Sequence, residues 1–190
     1  MTADARQEIV AFPGGIRARF RWAGTGQGDA VFALSETGGA LHDYGARVSP
    51  SFERLCRAEI RVESPGGTWA ARLASPIFDA PAGLAWDTAG LLVVAYGFAT
   101  YGLEARTGEL RWLHRSGSPL VAVLGSSRLD HVIVQAEIET FAVEADGTVR
   151  WRVAHSDVVA GVELVGGRLV LSSYGGLISA LDPETGRTVA

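Results

Sequence analysis

Short apolar runs recur along this chain, and each is followed by a polar turn and a second run. The most apolar runs cover residues 91–96, 132–136 and 169–173. Runs of this length between turn-forming residues favour strands. The strand after each run ends at a turn that contains Gly108, Gly147 or Gly186, where glycine can adopt the positive φ of a tight hairpin. The pattern therefore predicts one strand hairpin that is repeated along the chain.

Tryptophan follows these turns at a fixed distance. Trp69, Trp112 and Trp151 lie about 40 residues apart, a period that is typical of propeller blades when the strands are short. Each period has room for four short strands, and no segment after residue 69 shows a convincing helical period. We predict an all-β fold, a β-propeller-like array of about four four-stranded antiparallel blades. The regular spacing of the tryptophans predicts that they pack between blades.

The sequence predicts a single domain over residues 1–190. Residues 1–8 are polar and predict a disordered lead-in, 9–68 predict one or more irregular first blades, and 69–190 predict three regular repeats. Residues 16–22 alternate between apolar side chains and Arg17, Arg19 and Arg21, as a strand with one buried and one exposed side does. An open propeller leaves strand edges unpaired. Two alternatives would close it: the strand near Ile9 or Ile16 completes the last blade, or two chains associate.

Three segments carry variants of one motif, a strand with an aliphatic residue, alanine and an acidic residue, then a glycine turn and a second strand, which ends in tryptophan in two of them and has Val189 at that place in the third. The fullest copy is Gly176-Leu-Ile-Ser-Ala-Leu-Asp-Pro-Glu-Thr-Gly186, and residues 101–112 and 140–151 match well. Over residues 58–190 the chain resembles the quinoprotein-like β-propellers, whose blades repeat this motif. The resemblance implies a propeller fold that hosts enzymes, scaffolds and sensors alike. In the quinone-dependent enzymes it also implies calcium and a vicinal cysteine pair. This chain has one cysteine and no asparagine, so we predict no cofactor.

Charge and composition exclude several classes of function. The net charge of −4 argues against nucleic-acid binding, although all 17 basic residues are arginine. Cys56 is the only cysteine, so no intrachain disulfide can form. The polar N-terminus lacks the apolar core of a signal peptide, and the longest apolar runs are too short to span a bilayer. These features predict a cytoplasmic protein without a membrane partner.

Candidate chemistry is sparse. The four histidines fall at different places in the repeat, which predicts no metal site. Neighbouring residues of a strand point to opposite sides, so His155-Ser156-Asp157 does not form a catalytic relay. The segments after Trp112 and Trp151 line one mouth of a propeller, and Arg115, His155 and Asp157 are the candidate ligand-binding residues there.

The sequence favours a non-enzymatic binding or scaffolding module with no catalytic residues. We expect it to bind a protein partner, or a second copy of itself, through propeller loops and blade edges. The alternative is a small-ligand sensor or an enzyme with its site at the channel mouth.

Overall fold

Four antiparallel sheets follow one another along the chain in a computed structural model, which describes residues 5–25 and 39–189. We number these sheets blade 1 to blade 4. Blade 1 contains β1 (Arg6–Phe12), β2 (Ile16–Ala23), β3 (Ala40–Asp43), β4 (Cys56–Ser64) and β5 (Gly67–Ser75). Blade 2 contains β6 (Ala82–Trp86), β7 (Leu91–Tyr96), β8 (Ala99–Glu104) and β9 (Leu110–Arg115).

Blades 3 and 4 continue the same order of strands. Blade 3 contains β10 (Leu120–Leu124), β11 (His131–Ala136), β12 (Glu139–Glu144) and β13 (Val149–Ala154). Blade 4 contains β14 (Val159–Val165), β15 (Arg168–Ser173) and β16 (Ile178–Leu181), and a bridge between Leu181 and Thr188 begins a fourth line of pairing. The predicted all-β, propeller-like array of blades is confirmed. Within the described residues, no helix is long and apolar enough to cross a membrane.

The N-terminal strand belongs to blade 1. β1 pairs with β2 along its whole length, from Arg6 opposite Trp22 to Phe12 opposite Ile16. The turn Pro13–Gly15 joins the two strands, and Gly14 and Gly15 both have positive φ. Because this hairpin is local, the N-terminal strand does not complete the last blade, which was one of the two closures that the sequence suggested. The strand also begins at Arg6, before the end of the predicted lead-in; residues 1–4 lie outside the described part.

Blade 1 contains an insertion between its second and third strands. The strand β3 follows β2 in chain order and pairs in parallel with β5. A short helix, α1 (Gly45–Val48), and a turn at Phe52–Arg54 then lead into β4. The strand order is therefore β1-β2-β4-β5-β3, a standard four-stranded blade with one strand added at its outer edge. Blade 1 therefore departs from the four-stranded pattern of blades 2 and 3.

The core consists of three apolar clusters, each between two successive blades. The first joins blades 1 and 2 around Phe20, Ile60 and Tyr101, the second joins blades 2 and 3 around Val93 and Phe141, and the third joins blades 3 and 4 around Ile133 and Leu171. No cluster joins blade 4 to blade 1 among the described residues. The blades therefore form an open array in which each interior blade is covered on both sides.

Tryptophan and glycine fit together at each of these boundaries. A Cβ atom on Gly108 would lie 2.4 Å from the ring of Trp69, and one on Gly147 or Gly186 would lie 2.6 Å from Trp112 or Trp151. Each glycine also has a positive φ, between 69° and 91°. Glycine is thus required at each of these turns for two reasons: the backbone adopts a positive φ there, and the tryptophan of the preceding blade packs too closely to leave room for a Cβ atom. The predicted packing of tryptophan between blades is confirmed.

Candidate functional site

The predicted ligand residues lie in the loops between blades, where each is held by a different part of the fold. Arg115, at the end of β9, donates a hydrogen bond to the backbone carbonyl of Arg47 in α1. His155 contacts Thr140 of blade 3, whereas Asp157 accepts hydrogen bonds from the backbone of Val158 and of Gly175 in blade 4. No recorded contact joins any two of the three. Their assignment to one ligand site remains a prediction.

His155 belongs to a chain of buried hydrogen bonds. The Thr140 hydroxyl donates to Gln135 Oε1 at 2.6 Å, so the hydroxyl accepts from Nε2 of His155, also at 2.6 Å. The amide of Gln135 donates to the carbonyls of Ala136 and Glu139. Burial lowers the pKa of His155, which favours the neutral ring, and the donation to Thr140 places its proton on Nε2. The histidine is therefore a structural group in blade 3.

Carboxylates connect these loops to neighbouring turns. Glu139 Oε1 accepts a 2.6 Å hydrogen bond from the Ser116 hydroxyl and a 3.1 Å bond from the backbone N–H of Gly117, while Arg152 lies 3.2 Å from Oε2. Burial alone would raise the pKa of Glu139, but these hydrogen bonds and the guanidinium together lower it. The Ser173 hydroxyl, followed by the N–H groups of Val158 and Gly175, lowers the pKa of Asp157. Glu139 therefore joins the loop that leaves blade 2 to blade 3, and Asp157 joins the segment before β14 to the turn between β15 and β16.

Sequence reasoning did not identify Gln135, Thr140 or Glu139. Gln135 is fully buried and interrupts the apolar strand β11, and this polar residue in an apolar run was the available signal. Thr140 lies directly opposite Gln135 in the pairing of β11 with β12. Glu139 gave no signal, because its hydrogen-bond donors Ser116 and Gly117 come from the loop that leaves the preceding blade.

One group of residues has the composition of a metal site, in the part of the chain that the structure describes. Asp130, His131 and Glu184 bring ligand atoms within 4.8 Å of one another. However, the Arg150 guanidinium lies 2.7 Å from Asp130 and 3.4 Å from Glu184, so a cation already neutralises the carboxylates. His131 donates from Nε2 to the carbonyl of Pro183, and this hydrogen bond and ion pairing lock the group between blades 3 and 4. With Cys56 buried and alone, these residues do not fit a quinone held by calcium.

Clefts also open between successive blades at the opposite end from the predicted ligand residues. Their volumes are about 540 Å³ between blades 1 and 2, 330 Å³ between blades 2 and 3, and 440 Å³ between blades 3 and 4. Each cleft is lined by the turn that joins the first two strands of a blade, and these turns contain Gly90, Gly125 and Gly167 in blades 2, 3 and 4. The clefts are thus repeated products of blade packing, and none gathers a catalytic set of side chains among the described residues.

The largest departure from the repeat is the outer face of blade 4, the side of the blade turned away from blade 3. By strand register this face carries Val165, Val170, Ile178 and Ala180, together with Glu163, Arg168 and Ser172. Ile178 is 77% exposed and Val165 is 55% exposed, and the adjoining turn exposes Tyr174 and Leu177. Thr100 and Thr140 hold the place of Ile178 in blades 2 and 3, where both are fully buried. The last blade therefore exposes a surface that the other blades cover.

Comparison with solved structures supports the fold. BamB from Moraxella catarrhalis superposes with a TM-score of 0.56 at 17% identity, covering 100% of this chain and 50% of that one. A HIRA fragment superposes with a TM-score of 0.53 at 11% identity, and the match covers 100% of this chain and 53% of that one. The dihydro-heme d1 dehydrogenase NirN superposes with a TM-score of 0.56 at 17% identity, and the match covers 73% of this chain and 34% of that one.

The chain spans about half the length of the BamB and HIRA structures. No protein-family model matches the chain, and no curated protein matches it. At these identities the likeness concerns the fold alone: the chain is similar to propeller proteins in the arrangement of its blades.

Proposed function

We propose that this chain is a non-enzymatic protein-binding module that docks through the outer face of blade 4. The observation that carries the proposal is the exposure of Ile178, Val165 and their neighbours at places that are buried in the other blades. Contiguous exposed apolar surface marks sites of association in soluble domains. Aromatic and aliphatic side chains such as Tyr174 and Leu177 are also the kind that anchor protein interfaces.

The geometry of the repeat indicates which partner fits this face. Each interior boundary joins one apolar sheet face to another, so the matching surface is a second sheet face with apolar side chains. Within the described part of the chain, the β2 half of the outward side of blade 1 is a second exposed surface, and it carries Arg17 and Arg19, both exposed, whereas Arg57 and Glu59 of β4 are buried. Burying these guanidinium groups against Ile178 would be costly, which disfavours a head-to-tail contact.

We therefore commit to a second copy of the chain as the occupant, with blade 4 against blade 4. A two-fold contact presents the same face, with its apolar and its charged positions, from both copies. This arrangement leaves the basic side of blade 1 exposed at each end of the pair. Joining two four-blade arrays in this way does not require either chain to close on itself.

Molecular mass in solution tests the proposal. We expect light scattering of the chain at about 100 μM, well above the dissociation constants of specific interfaces, to give the mass of a dimer. Ile178→Glu should yield a monomer, because it places a charge at the centre of the contact. Leu41→Glu is the matched control and should remain dimeric, because Leu41 is an exposed apolar residue on β3, 50% exposed, that lies outside blade 4.

Two results would overturn this assignment. A wild-type monomer at that concentration would exclude a second copy as the partner. If Ile178→Glu and Leu41→Glu both convert the dimer to a monomer to the same extent, an added charge anywhere on the surface would explain the loss of the dimer, and the outer face of blade 4 would not be the contact.

A further inference from the structure

A second surface, independent of blade 4, lies on the outward side of blade 1. Arg17, Arg19 and Arg21 alternate along β2 and project away from the apolar cluster that Phe20 and Trp22 join. Arg17 and Arg19 are exposed and Arg21 is half-buried. We call these three residues the arginine face. On the same side, strand register places Ile9 beside Arg19 and Ala11 beside Arg17.

The other blades do not repeat this chemistry. The corresponding side of β7 in blade 2 carries Leu92, Val94 and Tyr96, all of which pack against blade 1. An arginine at such a place cannot be covered by another blade without loss of its hydration. The arginine face is thus built for contact with water or with an anion.

Among the described residues no ion pair joins a carboxylate to the arginine face, although Glu59 lies opposite Arg21 in the pairing of β2 with β4. Glu63 lies opposite Arg17 in the pairing of β2 with β4, but no ion pair joins them. Arg19 lies opposite Arg61, and like charges at directly paired positions are destabilising. The other half of this side of the sheet differs, because Arg57 pairs with Asp43 at 3.4 Å and Arg72 with Glu59 at 3.9 Å. Uncompensated positive charge is therefore concentrated on β2.

We infer that the arginine face binds an extended acidic segment of a partner protein. Side chains on one side of a strand repeat every ~6.7 Å, so an extended peptide with a carboxylate at every second residue matches the three guanidinium groups in register. Guanidinium groups bind carboxylates through paired hydrogen bonds. Ile9, which is 45% exposed, offers apolar contact to the alkyl part of the acidic side chains.

A protein segment fits this face better than a nucleic acid does. The whole chain has a net charge of −4, which repels a polyanion at long range, whereas a short acidic segment is affected less. The neighbours of the arginines on β1 are Gln7, Ile9 and Ala11, so β1 offers no aromatic ring for base stacking.

Fluorescence anisotropy with synthetic peptides tests the inference. The probe is a labelled peptide with glutamate at every second position, and its partner probe has the same composition with all glutamates in one block. We expect the alternating peptide to bind more tightly at low salt, and its affinity to fall as exposed charges are screened. The triple variant Arg17→Gln/Arg19→Gln/Arg21→Gln should lose about tenfold in affinity, as expected for three exposed ion pairs.

The matched control removes the same charge elsewhere. Arg106→Gln/Arg128→Gln/Arg187→Gln changes three exposed arginines of blades 2, 3 and 4 and should bind like the wild type. The single charge reversal Arg19→Glu provides a second test if the triple variant unfolds at a lower temperature. It should weaken binding of the alternating peptide as well.

Four results would overturn the inference. The alternating peptide could fail to bind at low salt, or both triple variants could lose affinity equally, which would indicate a bulk charge effect. The block peptide could bind as tightly as the alternating one, which would show that the spacing of the carboxylates does not matter for binding. A single-stranded oligonucleotide of equal charge could bind more tightly than the peptide, which would assign the face to nucleic acid.

Discussion

Glu139 shows how a single carboxylate can join two blades. It receives the Ser116 hydroxyl and the Gly117 N–H from the loop that leaves blade 2, and it pairs with Arg152 of its own blade. The Arg152 guanidinium also lies 4.8 Å from the ring centroid of Phe141. The ionised form of Glu139 makes all of these contacts, so its contribution to stability depends on pH.

We expect Glu139→Gln to lower the free energy of unfolding by about 1–3 kcal/mol at neutral pH, the range for hydrogen bonds to charged groups. Because the pKa of Glu139 is lowered in the folded chain, this difference should be complete above the ordinary glutamate pKa of about 4.3. It should disappear as pH falls through the lower folded value. Urea unfolding of both proteins between pH 7 and pH 3 measures it, with the exposed Glu8→Gln as control; a difference that stays constant over this range would contradict the assignment.

At the scale of elements, the turn before the fourth strand of each blade determines how tryptophan is bound. The Trp69 indole donates to the carbonyl of Ala105 at 3.0 Å, and that of Trp151 donates to Pro183 at 3.1 Å. The turn of blade 3 runs from Glu144 to Gly147 and is one residue shorter than those of blades 2 and 4. It therefore lacks the equivalent carbonyl, and the Trp112 indole N–H is buried without a hydrogen-bond partner among the described residues.

This difference predicts unequal effects of the same substitution. Trp151→Phe removes a hydrogen bond and leaves the Pro183 carbonyl with one donor fewer, whereas Trp112→Phe removes an N–H that has no partner. We expect Trp112→Phe to destabilise the fold by roughly 1 kcal/mol less than Trp151→Phe, the typical net value of a hydrogen bond. Denaturant unfolding of the two variants measures the difference. Equal losses, or a larger loss at Trp112, would contradict this explanation.

Elements built from local contacts were predictable from the sequence. The hairpins that contain Gly108, Gly147 and Gly186 were evident because turn chemistry and strand alternation are short-range signals. The pairing of β3 with β5 was not, because it is parallel and joins segments separated by the whole of β4. His155 was correctly placed in a loop after tryptophan, but its bond to Thr140 depends on the register of β12, which sequence spacing does not define.

For the whole molecule, the open array means that the blades differ in how many neighbouring blades pack against them. Blades 2 and 3 have a neighbour on both sides, whereas blade 4 is covered on one side only. In repeat proteins each unit is stabilised mainly by its nearest neighbours, so a terminal unit opens more readily.

Hydrogen exchange followed by mass spectrometry should detect this inequality. At low protein concentration, we expect amides of β7, β8, β11 and β12 to exchange slowly and those of β14, β15 and β16 to exchange fastest. Raising the concentration should slow exchange in blade 4 specifically, because the second copy would then cover its outer face. Uniform exchange across the blades would contradict the open array, and no change with concentration would contradict the proposed contact.

The added strand β3 has a consequence for the perimeter of the molecule. It covers the outer edge of blade 1, while β9 and β13 remain the outermost strands of blades 2 and 3. Free edges of this kind can recruit other chains into aggregates, and charged side chains on the edge oppose that. Arg111 and Arg115 on β9, and Arg150 and Arg152 on β13, occupy these edges. Where no extra strand covers the sheet, these arginines place charged side chains along the free edge, which opposes edge-to-edge pairing with another chain.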